Sequence, residues 1–221
     1  MKNITNIEQE ILKGESLTTE FMSVNSWIDY SNNTKMPLVK QRNIFKGMLL
    51  KNIAGFLNGR VKGKVILGIN DEGKIEGTKH LNTLLSAQAL DTKRTILKID
   101  IIIKQNFEEM HTYTKVNAVE IKNQTLFIIE CIPGHDICFL KDELGKQKLY
   151  VRTDVATRQL QGNEIISFNN YRQKIINTKI TNNQDNKQKN NTAEKNYFDN
   201  ERNEEFKKII IFKNKIKQIN S

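Results

Sequence analysis

The stretch KQRNIFKGMLLKNIAGFLN at residues 40–58 constrains the fold most. Ile44, Phe45, Met48, Leu49, Ile53, Phe56 and Leu57 recur at helical spacing, so the segment reads as a buried helix with Gly59 as its stop. Only GRVKG separates it from KVILGI at 64–69, a branched apolar run bounded by Gly63 and by the turn-forming NDEG at 70–73. KIEG then follows and can return as a second strand, which makes 64–77 a hairpin signature. A buried helix followed at once by a short strand calls for a fold that lays helices on β-hairpins.

The rest of the body agrees with that class. In DTKRTILKIDIIIKQNF, Ile96, Ile99, Ile103 and Phe107 fit one helical face, although IDIII alone would pass for a strand; the length of the segment favours the helix. VNAVEI at 116–121 and LFIIECI at 126–132 flank a KNQT turn and read as another hairpin. LYVR at 149–152 is one more strand, and NEIISFNNYRQKII at 163–176 is a closing helix with Asn163 as its cap. The expected class is α+β, with hairpins in place of regular βαβ alternation.

Composition shifts near residue 176, where a patterned sequence gives way to TKITNNQDNKQKNNTAEKN, a polar tract too poor in apolar side chains to offset its ordering entropy. Residues 176–198 are expected to be a linker. The segment 199–219 starts acidic and ends basic, as suits a helix dipole, and offers Phe206, Ile209, Ile210 and Ile216 for an apolar stripe: a basic C-terminal helix.

Thirty-five Lys and Arg against 25 Asp and Glu leave a formal charge of +10, which favours polyanionic partners such as RNA, DNA or an acidic membrane surface. Two cysteines give no disulfide framework, and neither a signal-peptide core nor an apolar run of membrane-spanning length is found. A soluble cytoplasmic protein with no membrane span is expected. No Gly-rich loop ends in Gly-Lys-Ser or Gly-Lys-Thr, so a nucleotide-cradling P-loop is not expected.

Three acids draw attention as a possible catalytic set. Glu15 and Glu20 stand five positions apart in GESLTTEF, so they converge only if the chain turns between them. Asp71 begins the turn after KVILGI, where a fold can hold a carboxylate rigidly yet open to solvent. Brought together, the three would repel and need a divalent cation, Mg2+ or Mn2+ by preference for hard oxygen ligands, which could polarise a phosphoryl oxygen and activate water. Each acid also has an ordinary structural use at a turn or in an ion pair. Cys131, His135 and Cys138 supply three zinc ligands and no fourth, so zinc is not expected and two buried thiols are the reading kept.

GESLTTEF, a helix ending AGFLN, VKGKVILGINDEGKIEG, FIIECIPG and KLYVRTDVATR, in that order, resemble the Schlafen AlbA-like domain over residues 8–175. The resemblance implies a metal-dependent endoribonuclease acting on structured RNA, transfer or ribosomal, through two glutamates and an aspartate, matched here by Glu15, Glu20 and Asp71. The alternative it implies is a non-catalytic DNA- or RNA-binding regulatory module. Two departures stand out: Met22 replaces the lysine that follows Glu-Phe in the family, and NGRVKGK replaces its Gly-Gly turn. Arg60, Lys62 and Lys64 in that segment, with Arg152 and Arg158 further on, are the expected contacts to a nucleic-acid backbone. Because Schlafen cores enclose RNA between two copies of the domain, the single copy here implies a homodimer or heteromer.

Overall fold

The computed structural model describes residues 2–85, 91–134 and 136–174. It contains two compact units, Met1–Ile166 and Ser167–Ser221. The expected linker at 176–198 and tail helix at 199–219 lie outside the described residues.

The first unit is built on two sheets. Strand β1 (Thr19–Met22) pairs in parallel with β2 (Gly63–Leu67), and β2 pairs antiparallel with β4 (Gln124–Cys131), which in turn carries β3 (Thr114–Ile121), giving the order β1-β2-β4-β3. A second sheet of β5 (Phe139–Lys141), β6 (Gln147–Arg152) and β7 (Thr157–Leu160) is antiparallel throughout. The helices are α1 (Lys2–Lys13), α2 (Asn25–Asn33), α3 (Leu38–Leu57), α4 (Leu81–Leu84) and α5 (Thr92–Phe107), with a 3-10 helix at Glu108–Tyr113. A further helix runs over residues 163–174. The mixed α+β class expected from the sequence is what forms.

Strand alternation divides the core in two. Met22, Val65, Leu67, Phe127 and Ile129 face the large cluster with Phe45, Leu49, Ile53 and Phe56 of α3 and Ile99, Ile103 and Phe107 of α5. Phe21, Ile66, Leu126 and Ile128 face the other way and meet Ile11 of α1. Helix α3 packs against strands of both sheets, which is why the run from Asn52 to Leu57 is buried without a break. Two glycines let it approach so closely. A Cβ on Gly63 would stand 2.2 Å from the Phe56 ring, and one on Gly55 would stand 2.6 Å from Cγ2 of Thr157 in β7.

The β3–β4 hairpin turns on Lys122 and Asn123, both at positive φ (51° and 59°), the geometry whose twist matches paired strands. The hairpin expected at 64–77 forms only at its tip. Asn70 N–H donates to the Lys74 carbonyl and Ile69 bridges Ile75, but residues 74–77 add no strand. The reason is that both edges of β2 are taken, one by β1 and one by β4. Asn163 is already helical, not a cap. At this helix start the Glu164 carboxylate reaches back to accept from the Gln161 N–H at 3.1 Å, half of a capping box.

Candidate functional site

Helix α1 ends at Gly14, whose N–H donates to the Ile11 carbonyl and whose φ of 76° turns the chain out of the helix. Ser16 and Thr19 then pair across a tight turn through two backbone hydrogen bonds of 2.9 and 3.3 Å. This is the turn that the five-residue spacing of Glu15 and Glu20 demands. It swings Glu15 back along β1, where its Oε1 accepts from the Phe21 N–H at 2.9 Å. Glu15 thereby comes close enough to Glu20 for its charge to resist ionisation of the Glu20 carboxyl.

Glu20 shares a sheet face with Met22, the face that meets α3. Its Oε2 is bound by Nη1 of Arg152, whose side chain is 1% exposed. The second guanidinium nitrogen, Nη2, donates to the carbonyls of Ser16 (2.6 Å) and Thr19 (3.0 Å), so one arginine ties β6 to both ends of the turn. The guanidinium lies 5.0 Å over the Phe56 ring, a cation–π seat of known attraction. Burial raises the Glu20 pKa above its ordinary 4.5, the guanidinium of Arg152 and the ammonium of Lys51 oppose that rise, and burial prevails.

Asp71 does not join the pair. Glu20 stands level with Val65 in the strand register, and Asp71 comes six residues later, past the end of β2. Gly68, at φ 99°, bends the chain after β2, and the N–H groups of Glu76 and Gly77 both donate to its carbonyl. Asp71 is therefore carried outward on the exposed tip of the 69–75 turn. Among the described residues, no group of three His, Cys, Asp or Glu is placed to hold a metal ion. As arranged, these acids do not fit a divalent cation: one oxygen of Glu20 is taken by a guanidinium, one of Glu15 by a backbone N–H, and Asp71 is elsewhere.

The expected backbone-contacting cations divide similarly. Arg152 is a buried structural residue and not a surface contact, which corrects its expected role. Arg158 is paired with Glu164 at 2.7 Å on the surface, and Arg60 is exposed and engaged in an interaction of its own. Lys64 is half-buried against Glu10 at 2.6 Å. Lys62 is exposed and, with Lys13, Lys64, Ser16 and Thr18, lines a cleft of about 460 Å³. Cys131 and Cys138 are both buried and neither is in a disulfide, and burial, with Cys138 nearby, pushes the Cys131 thiol pKa far up. His135 lies outside the described residues.

Two contributors escaped the sequence reading. Lys51, in the middle of α3, lends positive charge to Glu20, which partly replaces the lysine lost at Met22. That position is itself 4% exposed in the main core, where methionine suits burial better than an ammonium would. Asn58, just past α3, donates to the carbonyls of Cys138 (2.7 Å) and Tyr150 (2.9 Å) and accepts from the Cys138 N–H (2.8 Å). It fastens the end of α3 to β6, the strand that carries Arg152. The AGFLN motif held the signal, since an asparagine after an apolar helix end has few uses except backbone bonding.

A family model described as Schlafen, AlbA_2 matches residues 15–161, more than half of the 221-residue chain. No curated protein matches. Among solved structures, the crystal structure of the DIP2311 protein from Corynebacterium diphtheriae is similar at 19% identity and a TM-score of 0.36, covering 53% of this chain and 20% of that one.

Proposed function

Because this chain belongs to the Schlafen AlbA_2 family, we propose that it is a nucleic-acid-binding module whose acidic residues brace the fold and do not cut. The observation that carries this reading is the Glu20–Arg152 pair. A carboxylate bonded to a buried guanidinium gives up a ligand position, and removing it from that pair would leave the guanidinium unpaired in the interior. The charge of +10 supplies the attraction to a phosphate backbone that such a module needs.

A second reading is the metal-dependent endoribonuclease acting on transfer or ribosomal RNA, with Mg2+ or Mn2+ and a homodimer or heteromer around the RNA. The observation in its favour is the Glu15–Glu20 approach across the Ser16–Thr19 turn. It would require Asp71 to swing in from the turn tip and Arg152 to release Glu20.

Incubation of labelled transfer RNA with the protein in Mn2+, Mg2+ or EDTA, beside Glu20→Gln, separates the two. The binding module retains RNA with a steep salt dependence and leaves it intact in every buffer. Metal-dependent cutting that is lost in Glu20→Gln would replace this reading with the second.

A further inference from the structure

A groove of about 650 Å³ lies between α3 and the β5–β6 hairpin. Its lysines come from both walls: Lys46 and Lys51 from α3, Lys141 from β5 and Lys148 from β6. Two acids line it as well. Asp142 is committed to the hairpin turn, accepting from the N–H groups of Leu144 (3.0 Å) and Lys146 (2.9 Å) and pairing with Lys148 at 3.2 Å. Glu143 is exposed. Four lysines against two acids leave a net charge of +2. Lys46 and Lys141 form no ion pair among the described residues, so their charge is available to a ligand.

The same groove has an apolar side. Met48 is 41% exposed there, and Tyr150 is the one aromatic residue among those lining it. Cations beside a methionine and a tyrosine suit a ligand that is anionic along one edge and apolar along the other. A single-stranded polynucleotide has that character, because its bases are unpaired and free to lie on apolar or aromatic side chains while its phosphates meet ammonium groups. A duplex keeps its base faces stacked inside, so it would offer this groove only its backbone and not the apolar faces that Met48 and Tyr150 suit.

We propose that the α3/β5–β6 groove binds single-stranded nucleic acid, with Lys46 and Lys141 on the phosphates, Lys51 and Lys148 adding to the positive field beside them, and Met48 and Tyr150 against the bases. This rests on the nucleic-acid-binding reading and gives it a surface and a strandedness. The groove also adjoins the carboxylate end of the fold, since the charge of Lys51 is felt at Glu20.

The test is fluorescence anisotropy of the full chain with a short labelled oligouridylate, and with a duplex of the same length, across a salt series. Lys46→Gln/Lys141→Gln is compared with Lys115→Gln/Lys122→Gln, which removes equal charge from two exposed positions of the β3–β4 hairpin. The expected result is tighter binding of the single strand, a loss of roughly tenfold for the groove pair only, and a salt slope smaller by about 1.4 for two lost phosphate contacts. Unchanged melting of both pairs would show that the fold is intact. Equal losses in the two pairs, or preference for the duplex, would overturn the groove assignment while leaving the binding reading in place. Failure of the unmodified chain to bind either probe would overturn both.

Discussion

The carboxylate end of the domain and the α3/β5–β6 groove sit on the same helix and use charge in opposite ways. At the carboxylate end, Glu20 and Arg152 bond each other, Arg152 also bonds the backbone of one turn, and Glu15 accepts from the Phe21 N–H of β1. In the groove, Lys46 and Lys141 form no ion pair among the described residues, and one of the two acids lining it, Asp142, serves its own turn. A charge satisfied inside the fold contributes to stability and has little left for a ligand. A charge left in solvent does the reverse. Substitutions at the two places should therefore separate cleanly into losses of stability and losses of binding.

The largest effect is expected at Arg152. Arg152→Met leaves Glu20 in a half-dry site without its counter-ion and should cost about 3–5 kcal/mol in urea denaturation. Glu20→Gln combined with Arg152→Met should recover part of that loss, because a neutral amide tolerates burial better. A cost below about 1 kcal/mol would mean that the pair is not structural and would break the comparison.

Next comes Asn58→Ala, which deletes a donor and an acceptor serving three backbone bonds to the Cys138 and Tyr150 residues. A loss of about 2–3 kcal/mol is expected, read from the denaturation midpoint. Gly63→Ala tests the seat beneath the guanidinium. Its new methyl would collide with the Phe56 ring, and overpacking of this kind costs about 1–3 kcal/mol.

Glu76 gives a smaller and pH-dependent effect. Its carboxylate accepts from the Ser23 hydroxyl at 2.9 Å, the Ser26 N–H at 3.2 Å and the Ser26 hydroxyl, capping α2 from outside the helix. Although partial burial pushes its pKa upward, the serine hydrogen bonds together hold it below the ordinary 4.5. A depressed carboxylate stabilises the fold above its unfolded pKa, and that stability is lost as pH falls through the folded value. Glu20 has the opposite sign: its raised pKa makes ionisation costly, so its contribution weakens as pH rises from 4.5 through the folded value. Glu76→Gln should cost about 1 kcal/mol at neutral pH, with the difference from the parent shrinking in acid when melting is followed against pH. The smallest change in stability is expected for Lys46→Gln and Lys141→Gln, within about 0.5 kcal/mol.

Much of the architecture was legible in the sequence because it rests on local periodicity. Helices α3 and α5 and the β3–β4 hairpin follow from apolar spacing that their neighbours reinforce. Helix α1 went unread, since KNITNIEQEILK is mostly polar and, among its described side chains, Ile7 and Ile11 are the ones that meet the core. The strand return at 74–77 was misjudged because a hairpin signal carries no information about edges occupied by β1 and β4. At the site, the five-residue spacing correctly demanded a turn. The sequence could not reveal that the guanidinium meeting Glu20 comes from 132 positions away, and a lone arginine in a strand gives no sign of being buried. Nor could it show that Gly68 bends Asp71 away from the sheet.

The most direct test of whether the carboxylate end is internally satisfied is a Mn2+ titration of the full chain, followed by the electron paramagnetic resonance of free Mn2+, with Glu20→Gln in parallel. The account predicts that neither protein depletes free Mn2+ in the micromolar range and that the two titrations superimpose. One tightly held Mn2+ per chain, lost in Glu20→Gln, would contradict it.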